Sequence, residues 1–147
     1  GGGGAGGYTK KIISSSSLNL KENFVVGPGA IYNTQNSGRS IFGSTINLYA
    51  LGGSNASDVK PGSGGLSYNG DINIRGGSGV GGVRSYGTAG PGGSSPLATG
   101  GEPVDQDVGG SGTYGGGGAG GETASGGSSN IGGNGGSGVI IITEYYY

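Results

Sequence analysis

GGSGTYGGGGAGG, residues 109–121, is the stretch whose reading decides the fold. Read by threes, Gly109, Gly112, Gly115, Gly118 and Gly121 fall on one phase. A weaker echo at residues 126–138 keeps Gly126, Gly132, Gly135 and Gly138 on a single phase, with Ser129 in the missing slot. A three-residue glycine period is the repeat of an extended left-handed helix rising about 3.1 Å per residue. Such a helix has no internal hydrogen bonds, so one copy alone in water is disordered. Several side by side satisfy one another's N–H and C=O groups, and glycine lets the backbones approach that closely. At this rise the thirteen-residue run spans roughly 40 Å and a seven-residue run about 20 Å. The expected body is elongated: antiparallel extended helices with loops gathered at its two ends.

Outward from this run, shorter glycine runs occupy residues 1–7, 76–82 and 87–93, joined by polar links at 83–86, 94–106 and 122–125. Before residue 76 the chain is strand-rich. Residues 10–13 form a short strand candidate. Residues 18–26 alternate, with Leu18, Leu20, Phe24 and Val26 on one side, and Gly27-Pro28-Gly29 ends them with turn residues. Residues 40–51 read as a second strand region in which Gly43 marks a bulge. Asn69-Gly70 is a hairpin-turn signal leading into an alternating strand at 71–75, and the β-branched residues 139–143 read as a closing strand. No stretch of helix formers reaches two turns, so no α-helix is expected. The fold class expected is all-β and irregular, with short strands framing a layered bundle of polyglycine II helices. It is a single domain over residues 1–147, divided into a strand-rich part (1–75), a polyglycine part (76–138) and a closing strand (139–147). The apolar strands are expected to bury Ile, Val, Leu and Phe in a small core at one flank. That core is thin for the chain's size, so oligomerisation is expected to supply further burial.

Composition narrows the function. Of 147 residues 43 are Gly, yet the apolar residues collect in β-branched runs and the net charge is −1, unlike a solvated disordered chain. There is no Cys for disulfides or thiolate ligands and no His, which removes the usual general base near neutral pH and the commonest transition-metal ligand. Seven Lys plus Arg against eight Asp plus Glu leave no basic footprint for nucleic acid. The longest apolar run, 139–142, is far too short to span a bilayer, so the chain is not expected to be membrane-embedded. The first residue is Gly rather than Met, so the chain is expected to be a fragment or processed product, or part of a longer polypeptide.

Several residue constellations have both a functional and a plainer reading. Residues 77–82 match G-x-G-x-x-G after a strand, but no helix can follow the glycines, so nucleotide binding is not expected. Glu102, Asp105 and Asp107 place three carboxylates within six residues. They lack the spacing of a calcium loop, and the plain reading is a solvated link. Tyrosines stand singly among the links and runs; exposed aromatics stack on sugars or anchor protein contacts. Tyr49 and Tyr114 are expected to pack on strands or glycine layers, and Tyr32 and Tyr86 stand evenly between packing and contact. Tyr145, Tyr146 and Tyr147 are a strand end or a subunit contact. Collagen is excluded, since the triplet phase is interrupted and only five Pro are present. No catalytic residue, metal site or cofactor is expected, and the chain is not expected to be an enzyme.

Taken in order, GGGGAGGYTKK at the start, FGSTINLYALGG, GDINIRGGSG, SSPLATGG, TYGGGGAGG and the closing GGNGGSGVIIITEY resemble the glycine-rich C-terminal domain of bacteriophage tail fibre proteins. The resemblance extends to the polyglycine-helix sandwich of phage fibre-tip adhesins, and it covers nearly the whole chain. One departure follows Val26, where such domains often continue with glycines and this chain has Gly27-Pro28-Gly29 and a polar loop. The resemblance implies a non-enzymatic receptor-binding tip, a homotrimer at the end of a fibre, located on the virion. Its partner would be a bacterial surface polysaccharide or outer-membrane protein. On this reading the contact loops are residues 30–39, 54–64, 83–86 and 94–106, with Tyr32, Arg39, Arg84, Tyr86, Glu102 and Asp105 as contacts. The rival readings are a purely structural fibre or matrix protein and an ice-binding protein. The irregular, charged links count against the latter.

Overall fold

Residues 1–7 show how the glycine runs hold together in the structure, a computed structural model that describes residues 1–33, 36–83, 87–104, 108–122 and 131–145. Gly2 and Ala5 donate their N–H groups to Val80 and Gly77. Gly3 and Gly6 donate to Gly118 and Gly115, and Gly4 and Gly7 to Ser54 and Leu51, all at 2.7 to 3.0 Å. Each amide turns to a new neighbour and the direction repeats three residues later, which is the period read in the sequence. The carbonyls add more partners: Gly2 and Ala5 accept from Gly62 and Gly65, and Gly3 accepts from Gly93. Segments 51–54, 62–65, 77–80, 90–93 and 115–118 therefore surround residues 1–7. Partner numbers fall along 51–54, 77–80 and 115–118, which run antiparallel to it, and rise along 62–65, which runs parallel.

At Gly1, Gly2, Gly4 and Gly7 this packing leaves no room for a side chain. A Cβ on Gly2 would lie 2.0 Å from the Pro91 carbonyl oxygen, and one on Gly4 2.0 Å from that of Ser63. The interior is accordingly built from backbone. Among the described residues the buried apolar side chains are those of Ala5, 0 % exposed, and Ala119, 3 % exposed. The expected flank core of Ile, Val, Leu and Phe does not form: Ile12, Leu20, Phe24, Val25, Ile72 and Ile74 are all exposed. Strands of two to four residues are too short to close a side-chain core between them.

The 109–121 run also departs from expectation, because it is not one 40 Å rod. Gly116 donates to the Thr113 carbonyl at 2.8 Å, with Tyr114 at φ 41° and Gly115 at φ +83°. The chain reverses there, and Ala119 donates back to Gly110 at 2.9 Å. The bulky Thr113-Tyr114 pair cannot enter the lattice and becomes the turn. A triplet phase counts residues without recording direction, so it survives the reversal.

Among the described residues six strands form two antiparallel sheets. β1 (Tyr8–Lys10) pairs with β6 (Ile72–Ile74), with Tyr8 opposite Ile74. The second sheet has the order β2 (Phe24–Val25), β3 (Arg39–Phe42), β4 (Leu48–Leu51), β5 (Ser67–Tyr68). Across β4 and β5, Tyr49 stands opposite Tyr68 and the rings stack with centroids 4.9 Å apart, as expected for Tyr49. No α-helix occurs among the described residues; a 3-10 turn covers Ser15–Ser17.

Boundaries moved for local reasons. Within 18–26 only Phe24–Val25 is strand. Glu22 folds back so that its Oε1 accepts from the Asn19 N–H and Nδ2 at 2.8 Å each, which replaces the alternation with a local turn. The single region 40–51 is a hairpin: Gly43 at φ +75° and Asn47 at φ 48° turn the chain between β3 and β4. Asn69 takes the positive φ its Asn-Gly signal implies, 65°. Yet β5 and β6 pair into different sheets, so the turn is a corner between sheets. Residues 139–143 form no strand; Val139 and Ile140 are half-buried and Ile141 and Ile142 exposed. β-branching favours a strand only where a free edge lies in register to pair with it.

Hydrogen-bond register also orders the two ends. Every strand lies at the end where Gly7 passes into β1, together with the Ser95–Ala98 and Thr113–Gly116 reversals. The opposite end, where Gly1 lies, carries residues 31–33, 36, 55–60, 83, 87–88, 102–104, 108–109, 121–122 and 131. We refer to the strand end and the loop end.

Candidate functional site

The loop end is where the side chains denied to the lattice collect. Residues 27–30 reach it antiparallel to 135–138, through Gly138 to Gly27 and Gly135 to Ala30 bonds of 2.9 Å. Tyr32 follows, exposed. Its N–H donates to Asn134 Oδ1 at 3.0 Å, and its ring lies over Gly132, where a Cβ would come within 3.2 Å of Tyr32 Cδ2. Asn33, at φ 54°, begins the return.

The neighbouring links are pinned to one another. Asn55 Nδ2 donates to Asn36 Oδ1 at 3.1 Å, which ties two of them together. Ser57 and Lys60 exchange backbone bonds of 3.1 and 3.0 Å around Asp58, itself at φ 55°. Val83 and Thr88 close the next link with bonds of 3.0 and 3.2 Å. Glu122 Oε1 accepts from the Ala89 N–H at 3.4 Å. The Glu102 carbonyl accepts from Gly110 at 2.9 Å, and Gly109 donates to Ile131 at 2.9 Å. Following these bonds across the end face gives the order Glu102, Gly109–Gly110, Ile131, Tyr32.

Of the contact residues read in the sequence, Tyr32 and Glu102 are brought to this face. Arg39 is not: it is the first residue of β3, in register with Leu51, toward the strand end. Arg84, Tyr86 and Asp105 lie outside the described residues. The 94–106 link divides. Its Ser95–Ala98 part is a reversal at the strand end and only the part from Glu102 onward belongs to the loop end. Tyr114, expected to pack, is 62 % exposed at the strand-end turn.

Ile31, Val83, Val104, Val108 and Ile131 are all exposed around the loop end. The first three fall within the contact loops read in the sequence, although none was singled out; Val108 and Ile131 fall outside them, and their signal is an apolar residue directly before a glycine, where no core could claim it. The face combines these apolar side chains with Tyr32, the Glu102 carboxylate and the exposed Lys60. Such a surface binds by contact area and a few polar anchors. Among the described residues no group of three or more His, Cys, Asp or Glu could hold a metal ion, and no helix is long and apolar enough to cross a membrane. Comparison with known proteins finds no matching family model, no matching characterised protein and no matching solved structure.

Proposed function

We propose that this chain is the receptor-binding tip of a bacteriophage tail fibre. The glycine runs are read as a layered bundle of polyglycine II helices framed by short strands. The links of the loop end meet a bacterial surface receptor, a polysaccharide or an outer-membrane protein. The single observation that carries the reading is that the described borders of the links gather at one end of the body, with the exposed Tyr32, Ile131 and Glu102 on that end. A lattice of backbone bonds has no side chains to vary, so specificity falls to the links. They can change without disturbing the lattice that holds them.

The tip acts without catalysis. Each face makes a modest contact, and copies on one fibre convert it into avidity. The chain would form a homotrimer at the distal end of the virion's fibre. The exposed apolar residues of the strand end, among them Leu20, Phe24, Ile141 and Ile142, are the surface assigned to subunit or fibre contact, in line with what large exposed apolar patches do. The test is competition: purified chain added to susceptible cells should saturate their surface and block phage adsorption. A chain that binds none of a panel of bacterial cells, and whose deletion leaves adsorption unchanged, would end this reading.

A further inference from the structure

Six glycine-containing segments close into a ring. Residues 1–7 bond to 51–54 through Gly4 to Ser54 and Gly7 to Leu51. Gly52 bonds to Gly38, and Gly38 to Pro28. Residues 27–30 accept from Gly135 and Gly138. Gly133 and Gly136 donate to Ala119 and Gly116, and Gly118 and Gly115 return the ring to Gly3 and Gly6, all at 2.7 to 3.0 Å. An open cavity of about 1870 Å³ is lined by all six segments and spreads beyond them, from Tyr32 and Asn55 at the loop end to Phe24 and Ile140 at the strand end.

Two independent features show what chemistry the walls present. The first is clearance. Along residues 1–7 a Cβ on Gly1, Gly2, Gly4 or Gly7 would meet backbone at 2.8 Å or less, but on Gly3 and Gly6 the nearest atoms are 3.6 and 3.5 Å away. That phase faces the channel. The second is hydrogen bonding. Ser54 donates outward to Ser63, Gly117 and Ala119 donate outward to Gly93 and Gly110, and Gly52 donates along the ring to Gly38. The intervening N–H groups of Gly53 and Gly118 have no acceptor among the described residues, and the Gly4 carbonyl has no N–H donor. All three residues line the cavity. Polar backbone groups in such a setting normally find partners.

We infer that the channel is a binding site for one extended, glycine-rich peptide strand supplied by another molecule. Only a backbone with N–H and C=O groups recurring every third residue meets all six walls. Residues without large side chains lie closest to the six segments, whose lining positions are mostly glycine. Six or seven residues at about 3.1 Å each match the length of the 1–7 segment, about 20 Å. The inference does not depend on the receptor reading, since it concerns the inside of the body and not its loop end.

The probe is a capped peptide of sequence GGSGGSGG titrated into the full chain and followed by amide NMR. Saturable 1:1 shifts are expected at Gly3, Gly6, Gly53 and Gly118, with hydrogen exchange at Gly53 and Gly118 slowed roughly tenfold or more. The same peptide with Val at every Gly should not bind. Gly6→Leu projects a side chain into the channel and should remove binding with the melting temperature kept; Gly3→Ala, a smaller change, serves if that variant misfolds and should weaken binding. Absence of saturable shifts up to about 1 mM peptide, shifts confined to the outer surface, or equal binding by the Val peptide would overturn the proposal.

Discussion

Ala119 donates its N–H to the Gly110 carbonyl at 2.9 Å, so the two halves of the longest glycine run lie antiparallel against each other. The reversal passes through Gly115 at φ +83°, where a Cβ would meet nothing closer than 3.7 Å. A side chain there is opposed by backbone strain and not by crowding. Gly115→Ala is predicted to cost about 1–2 kcal/mol, a fall in Tm of roughly 3–8 °C, and Gly115→Val more. Thermal melting checks this; unchanged Tm in both variants would mean the turn is not formed.

Gly117 and Gly3 face each other under the opposite constraint. A Cβ on Gly117 would lie 2.2 Å from the Gly3 carbonyl oxygen, whereas one on Gly3 has 3.6 Å of clearance. Gly117→Ala should therefore destabilise by about 1–3 kcal/mol through overpacking. Gly3→Ala should be neutral or gain roughly 0.5 kcal/mol by stiffening the unfolded chain. Denaturant unfolding of the two variants gives the comparison, and equal losses would contradict the packing described.

The sequence carried the period of the lattice and little of its direction. Three-residue spacing of glycine translates directly into bonds that return to one neighbour every third residue, as Gly3 and Gly6 do. Which neighbour is chosen depends on non-local register, and that left no local trace. The strands were legible where a turn residue had a conformational demand, as at Asn69. They were misjudged where a side chain competed with the ladder, as Glu22 does with its bonds to Asn19. Residues 139–143 show the limit of propensity, since Ile and Val runs need an edge in register. At the site, Tyr32 and Glu102 could be placed from loop composition, but Arg39 could not be excluded without knowing that β3 takes it toward the other end.

Tyr49 and Tyr68 stack across neighbouring strands at 4.9 Å. A double-mutant cycle with Tyr49→Ala and Tyr68→Ala should return a coupling of about 0.5–1.5 kcal/mol. Simple additivity of the two single variants would show that the rings do not act as a pair.

Asp71 links the corner after β5 to the end of β1. The Ile12 N–H donates to its Oδ2 at 2.9 Å and lowers its pKa, desolvation opposes the shift, and Lys11 Nζ at 3.5 Å lowers it further. Because the folded pKa lies below the unfolded one, the contribution to stability is present above the ordinary aspartate range and is lost as pH falls through the depressed value. The Asp71 side chain is half exposed, so solvent screening keeps the contribution small. NMR titration should show the Ile12 amide shifting with a midpoint below the ordinary aspartate value of 3.8. Asp71→Asn should abolish that titration, and a midpoint at or above that value would contradict the bond.

The central claim is that the glycine body presents its recognition surface at the loop end alone. It is tested most directly by the binding of purified protein to susceptible bacterial cells, measured for two paired variants whose Tm values match the parent. Tyr32→Ala with Ile131→Ser alters the loop end, and Arg39→Ala with Tyr114→Ala alters exposed residues away from it. The account predicts at least a roughly tenfold loss of affinity, about 1.4 kcal/mol, for the first pair and parental binding for the second. Parental binding by the first pair together with loss in the second would contradict it.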